Sequence, residues 1–186
     1  MNLIHRRICS SDNWATAVRQ HMLPWALEGV DLGRTSLEIG PGFGATTKVL
    51  VEQVPELTVV EVDPASARRL AAQFPGVTVI EGDGAHLPLG DNSFDSVTCF
   101  TMLHHVPSPS QQDELFAEAC RVLRPGGVYA GMDSLPSLRF RVLHLFDTMV
   151  LVSPSTLPDR LRAAGFEDVD VTSVDGQFRF RAVKGR

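Results

Sequence analysis

Hydrophobic positions recur along this chain in two rhythms, and the points where one gives way to the other divide it into elements. Between about Asp12 and Leu27, Trp14, Val18, His21 and Trp25 stand at steps of four, three and four. That spacing is one face of a helix, interrupted near Pro24. From Ser36 onward, short β-branched or alternating runs take turns with helical ones. SLEI (36–39), LTVVEV (57–62), VTVIEG (77–82), FDSVTCF (94–100) and VYAGMD (128–133) read as strands. ATTKVLVEQ (45–53), PASARRLAAQF (64–74) and QQDELFAEACRVL (111–123) read as helices. Pro64 falls at a first turn, where a missing N–H costs nothing, and Pro55 and Pro75-Gly76 act as stops.

Strand and helix alternating in this way predict βαβ units and a parallel sheet with helices on both faces. The tail changes the rhythm. VDVTSV and QFRFRAV alternate with period two around Asp175-Gly176, a strong hairpin signal, so the last strand is expected to lie antiparallel. The prediction is an α/β, Rossmann-like three-layer sandwich whose seven-stranded sheet is mostly parallel. No repeat, linker or low-complexity tract marks a second domain. Residues 1–33 are expected to form a helical cap, 34–133 a ligand-binding core, and 134–186 an insert followed by the hairpin.

Composition narrows the function. A chain of 186 residues with 44% hydrophobic and 21% charged residues has enough material for one packed core. Seventeen Lys and Arg against 22 Asp and Glu leave a formal charge of −5, which argues against a surface that tracks nucleic acid. The three cysteines (Cys9, Cys99, Cys120) are odd in number and lack CxxC or CxxH spacing. Neither a disulfide framework nor a metal site is expected, and a cytoplasmic location fits. No apolar run approaches the length of a membrane span.

The chemistry concentrates in LEIGPGFGA (37–45), a strand running into three alternate glycines and a helix start. Such a loop turns backbone N–H groups toward a ligand. Gly40, Gly42 and Ala45 also satisfy a loose dinucleotide fingerprint, so a nicotinamide-dependent oxidoreductase is a rival reading. Glu38 argues against it. A carboxylate at the loop repels a pyrophosphate by on the order of a few kcal/mol per charge. A ligand with local positive charge suits it better. S-adenosyl-L-methionine, with a sulfonium, an ammonium and no phosphate, has that pattern.

Further along, Glu61 ends the second strand where an acidic side chain can accept from both ribose hydroxyls. Asp63 competes for that role, although its place before Pro64 suits a helix cap. Asp83 ends the third strand, where it can accept from an adenine amino group, with the Gly84 and Ala85 amides beside it. Gly82-Asp83-Gly84 is also good turn chemistry.

LEIGPGFG, VVEVDP, EGDGAHLPLGDNSFD, the FTMLHHV segment and RVLRPGG, in this order, closely resemble the class I S-adenosylmethionine-dependent methyltransferases. The similarity is to the small-molecule, methyltransferase type 11-like kind, and it covers about residues 37–133. It implies that Glu38 with Gly40, Pro41, Gly42 and Gly44 holds the methionine end of the cofactor. Glu61 would hold the ribose, and Asp83, Gly84 and Ala85 the adenine, with Val62 also among the cofactor-binding residues. Phe100 and Thr101 would line the pocket. Gly84 stands where that family more often has alanine, a departure expected to change little. A non-catalytic protein that only binds S-adenosylmethionine would carry the same loop.

Methyl transfer requires position and a dry cavity before it requires a base. His104 is the weak candidate for a general base, since neutral imidazole is available near pH 7, yet a His pair at a strand exit also serves as a turn cap. The Trp14 stripe reads either as a lid or as a helix packed on the sheet. The apolar insert at 134–154 reads either as the wall of an acceptor site or as core. If it is the wall, the acceptor is a small hydrophobic molecule.

Overall fold

A computed structural model describes residues 3–145 and 147–186 of the chain. Three short helices lead in: α1 (Leu3–Cys9), α2 (Asp12–Ala17) and α3 (Leu23–Ala26). The alternating part runs β1 (Thr35–Ile39), α4 (Thr47–Leu50), β2 (Glu56–Glu61), α5 (Pro64–Gln73), β3 (Thr78–Glu81) and β4 (Phe94–Phe100). It continues with α6 (Pro109–Val122), β5 (Leu123–Ser134), α7 (Leu138–Leu143) and α8 (Leu157–Ala163), and ends in β6 (Phe166–Val174) and β7 (Gln177–Lys184).

The seven strands form one sheet in the order β3-β2-β1-β4-β5-β7-β6. β1 pairs parallel with both β2 and β4, and β4 with β5, while β7 runs antiparallel to β5 and β6. The expected reversal of the last strand is present. Its turn uses Asp175 (φ 48°) and Gly176 (φ 81°), two left-handed residues in succession, the twist that a two-residue hairpin needs. The order reverses between β1 and β4. A crevice therefore opens at their carboxyl ends, where sheets of this kind bind ligands.

Successive strand residues face opposite sides, and two apolar clusters result. One gathers Leu37, Ile39, Val97 and Cys99 under Leu115 and Phe116 of α6 and Leu157 and Leu161 of α8. The other gathers Val59 and Phe100 with Val18 and Leu23 of the leading helices, Leu50 of α4 and Leu70 of α5. Asp95, at the start of β4, ties that strand to β1. Its carboxylate accepts from the amides of Arg34 (2.9 Å) and Thr35 (3.0 Å), from the Thr35 hydroxyl and from the Arg124 guanidinium.

Two local readings change. The leading helices are joined by a π-helical turn at Val18–Met22, in which the Leu23 N–H reaches back five residues to the Val18 carbonyl. Pro24 supplies no N–H to the turn before it, and the wider turn absorbs that loss. The extra residue rotates the buried face, so Met22 and Leu23 enter the core while His21 of the expected stripe is exposed. The helix expected over 45–53 is regular only at Thr47–Leu50. The amides of Glu52 and Gln53 then bond back three residues, tightening the chain before Pro55. Among the described residues no helix is long and apolar enough to cross a membrane.

Candidate active site

Strand alternation places Glu38 on the opposite face from Leu37 and Ile39, beneath the start of α4. Its side chain is fully buried. One carboxyl oxygen accepts from the Thr46 hydroxyl and the other from the Thr47 hydroxyl at 2.6 Å. Burial raises its pKa to about 7, against the pull of those two hydrogen bonds. The expectation that this carboxylate stands at the mouth of the loop is corrected. It lies under the loop, and the side chain reaching the cavity there is that of Thr46. The reason is the two threonines, which give the buried carboxyl partners that a ligand would otherwise supply.

The carboxylate that the loop amides do see is Glu61. Also buried, it accepts from the Gly42 amide at 2.9 Å and from the Asp63 amide at 3.0 Å. Gly42 sits at φ 57°, and nothing stands within 4 Å of where its Cβ would be. The loop is therefore held from below by a carboxylate and is open above. Asp63 caps α5 through the Ser66 amide at 2.8 Å, as its position before Pro64 predicts. Register carries the remaining predicted positions to the same sheet edge, because Glu61 pairs with Glu81 at the ends of β2 and β3. There Val62 and Asp83 are exposed, and Asp83 accepts from the Ala85 amide at 2.9 Å.

Gly84 is more constrained than its departure from the family pattern predicted. A Cβ at this buried position would stand 2.6 Å from Ile39 Cγ2 and 3.1 Å from Leu115 Cδ1. Here α6 and β1 have closed over the space that an alanine would occupy.

A cavity of about 610 Å³ opens at the carboxyl ends of β1 and β4. Of the predicted site residues, Gly40, Pro41, Gly42, Phe100, Thr101 and His104 line it. Glu38, Gly44, Glu61, Val62, Asp83, Gly84 and Ala85 do not, and they lie behind the loop or along the edge beyond it. Thr101 holds φ 51°, an uncommon conformation for a β-branched residue, pinned by its amide to the Met132 carbonyl at 2.8 Å. The rest of the wall is largely apolar, with Trp14, Phe43, Met102, Leu135 and Phe140 prominent. No Lys or Arg stands among the described residues lining it. Trp14 from the lead-in and Phe140 from the 134–154 insert thus face the cavity. On α7 the other side is exposed, with Leu138 and Val142 in solvent, so this helix walls the cavity rather than completing the core.

At the far end stands a group that sequence reasoning found only in part. His104 is buried, its Nδ1 lies 2.6 Å from Asp133 Oδ1, and its amide donates to Asp133 Oδ2 at 3.1 Å. Its Nε2 lies 3.1 Å from Nε2 of His144, whose Nδ1 donates to the Phe140 carbonyl at 2.8 Å. Burial holds His144 below the usual histidine pKa, which keeps it neutral near pH 7. His105 lies tilted beside both, its ring centre 4.2 Å from that of His104 and 5.4 Å from that of His144. Asp133 had a signal that could have found it: a carboxylate ending the strand that flanks β4. His144 sits in a segment without clear period, and only the fold brings it here.

Comparison with known proteins agrees with this geometry. Residues 37–131 match the methyltransferase domain family. A "probable S-adenosylmethionine-dependent methyltransferase" of Mycolicibacterium smegmatis is 32% identical across 76% of the chain and 55% of its own length. The chloroplastic 2-methyl-6-phytyl-1,4-hydroquinone methyltransferase 2 of Oryza sativa subsp. japonica is 28% identical across 99% of the chain and 53% of its own length. The chain thus spans about half the length of these curated relatives. A SAM-dependent methyltransferase from Aquifex aeolicus has the same fold, with a TM-score of 0.77 at 18% identity over 98% of both chains.

Proposed function

The chain belongs to the S-adenosylmethionine-dependent methyltransferase family, and from that premise we propose that it methylates a small apolar molecule held in the cavity beyond the glycine loop. The observation that carries the reading is Glu61, which occupies the Gly42 amide beside a cavity whose described lining has no Lys or Arg. A loop whose amide already serves an internal carboxylate, with no basic side chain at hand, is a poor cradle for a pyrophosphate. It fits a cofactor that is cationic near its reacting atom. Gly42 leaves open the space that a Cβ would fill, so the backbone can approach such a ligand closely.

S-adenosylmethionine supplies an activated methyl group on a positively charged sulfur, which becomes a neutral thioether when the acceptor's electron pair takes the carbon. The chain's own residues do the rest. The loop from Gly40 to Gly44 positions the methionine end, with Glu38 stiffening it through Thr46 and Thr47. Glu61 and Val62 meet the ribose. Asp83, Gly84 and Ala85 meet the adenine along the sheet edge, and Phe100 and Thr101 form the floor. Trp14, Phe140 and Leu135 exclude water and hold the acceptor against the methyl group, the positioning from which most of the rate enhancement derives. His104, oriented by Asp133, turns Nε2 away from that carboxylate and toward His144 Nε2 at 3.1 Å, and an acceptor's O–H, N–H or S–H would meet this pair. The relative that methylates a phytyl hydroquinone is in keeping with an apolar acceptor.

Calorimetric titration with S-adenosylmethionine, S-adenosylhomocysteine and NAD tests the cofactor side. Binding of the first two without NAD is expected, and NAD binding alone refutes the reading. Transfer of labelled methyl is then expected to apolar phenols or quinols. A preference for polar metabolites or for ribosomal RNA fragments removes the apolar acceptor, and no transfer to any of them leaves a binding protein rather than an enzyme of this kind.

A further inference from the structure

We propose that His104, His105 and His144 form a binding site for one divalent transition-metal ion of the zinc class, with an open coordination position facing the acceptor. The inference rests on the acceptor end of the cavity assigned above and names what holds the acceptor there. Although spacing along the chain predicted no metal site, one ring nitrogen from each of these histidines lies within 4.8 Å of those of the other two. All three residues line the cavity.

Hydrogen bonds fix what these nitrogens can do. A carbonyl oxygen only accepts, so the 2.8 Å contact to Phe140 puts a proton on Nδ1 of His144. The Asp133 carboxylate does the same for His104 at 2.6 Å. With one proton on each ring both Nε2 atoms carry lone pairs, and those atoms face each other at 3.1 Å. Two lone pairs at that distance repel unless something positive lies between them. In a tetrahedral site with Zn–N bonds of about 2.0–2.1 Å, neighbouring nitrogens stand roughly 3.3–3.4 Å apart. The pair is therefore already at ligand spacing. His105, half-buried and bonded through Nδ1 to the Thr148 carbonyl at 3.3 Å, completes a three-histidine face by a modest ring rotation.

A second observation comes from Asp133. It is fully buried, and among the described residues its one ion pair is with His104. A carboxylate so placed needs compensating positive charge, and a cation on the far side of the imidazole supplies it. Carboxylate, imidazole and metal in line is the usual outer-shell arrangement of a histidine ligand. Three histidines with a fourth position open is the pattern of a catalytic site rather than a structural one.

On this reading His104 is a ligand rather than a general base. An acceptor hydroxyl or thiol that takes the fourth position has its O–H or S–H bond broken there, its proton leaving to solvent through the cavity mouth. The heteroatom is then presented to the methyl group as a metal-bound anion. The acceptor class narrows to small apolar molecules bearing one oxygen or sulfur donor.

The test uses the full chain, freed of metal with a chelator and titrated with Zn²⁺ by calorimetry and with Co²⁺ by visible absorption. One equivalent is expected to bind, with the d–d bands of tetrahedral cobalt. His144→Gln and His105→Gln are each expected to weaken Zn²⁺ at least tenfold, and Asp133→Asn about 10- to 100-fold. S-adenosylmethionine affinity, measured on the same samples, should stay within about threefold. No stoichiometric metal in the wild-type protein, as a proton shared by His104 and His144 would give, overturns the proposal. So does metal binding that neither histidine substitution weakens. Should His144→Gln fail to fold, the half-buried His105→Gln and the wild-type cobalt spectrum still decide. Loss of S-adenosylmethionine binding with intact Zn²⁺ binding would instead strike the proposed function and leave the metal site standing.

Discussion

Replacing Glu38 with glutamine tests how the glycine loop is supported. The carboxyl group is buried with a pKa near 7, whereas in the unfolded chain it returns to about 4.5. Between those values the folded protein binds more protons than the unfolded one, so stability falls as pH rises from about 4.5 to about 7. The loss amounts to about 3 kcal/mol, at 1.36 kcal/mol for each pH decade. The E38Q variant has no proton to lose there. Urea unfolding of both proteins across pH 4.5 to 8 measures the difference, and other titrating groups cancel because both proteins share them. The wild-type curve is expected to descend relative to the variant through this window and then run level above pH 7. Parallel curves would refute the argument, for they would mean that Glu38 ionises at its ordinary pKa and is not buried against Thr46 and Thr47.

Glu61→Ala strips acceptors from the Gly42 and Asp63 amides, and calorimetry should show at least a tenfold loss of S-adenosylmethionine affinity, which corresponds to about 1.4 kcal/mol. Unaltered affinity would place the ligand elsewhere. Gly84→Ala pushes a methyl group against Ile39 and Leu115 and should lower stability by about 1–3 kcal/mol in thermal unfolding, with wild-type stability as the refuting result. Asp95, although partial burial works against it, is held down to about pH 2 by the Thr35 amide, the Arg124 guanidinium and the Thr35 hydroxyl, with the Arg34 amide adding to them. Its contribution is full above about pH 4 and disappears as pH falls through 2. Asp95→Asn should abolish roughly 1–2 kcal/mol of acid-dependent stability, after allowance for its solvent exposure.

Period was sufficient for the fold because β1 to β4 are short, bounded and rich in β-branched residues, and because Asp175-Gly176 specified the hairpin turn. It failed where an element's face depends on backbone hydrogen bonding that the pattern does not encode. The π-helical turn before Pro24 exchanged His21 for Met22 in the core, and the glycine loop shortened the helix that follows it. Side chains on the loop were legible by type but not by direction. Glu38 reads in the sequence as a carboxylate at the mouth of the loop, because a glutamate followed by glycines looks like a ligand contact. Two threonines eight and nine residues later took its oxygens instead. They follow Gly44 after a single alanine, and this was the available signal. His144 had none, since it reaches His104 across forty residues through a segment with mixed exposure.

The two halves of the cavity are built by different parts of the chain, and this division bears on specificity. The half that the proposed function gives to the cofactor comes from the ends of β1 and β4, strands whose register is locked on both sides by parallel pairing. The half that it gives to the acceptor comes from segments outside that frame: Trp14 before the sheet begins, Leu135, Ser137, Phe140 and His144 after β5, and the hairpin turn at Asp175 to Gln177. These segments carry little of the sheet's hydrogen bonding, so their side chains can change without disturbing the glycine loop. His104 and Asp133 are the exception. They stand where β4 and β5 leave the sheet, joined by contacts of 2.6 and 3.1 Å, and they anchor the acceptor end to the rigid half. Under the proposed function, acceptor choice would therefore be decided by what α7 and the hairpin turn present to a histidine whose own position is fixed.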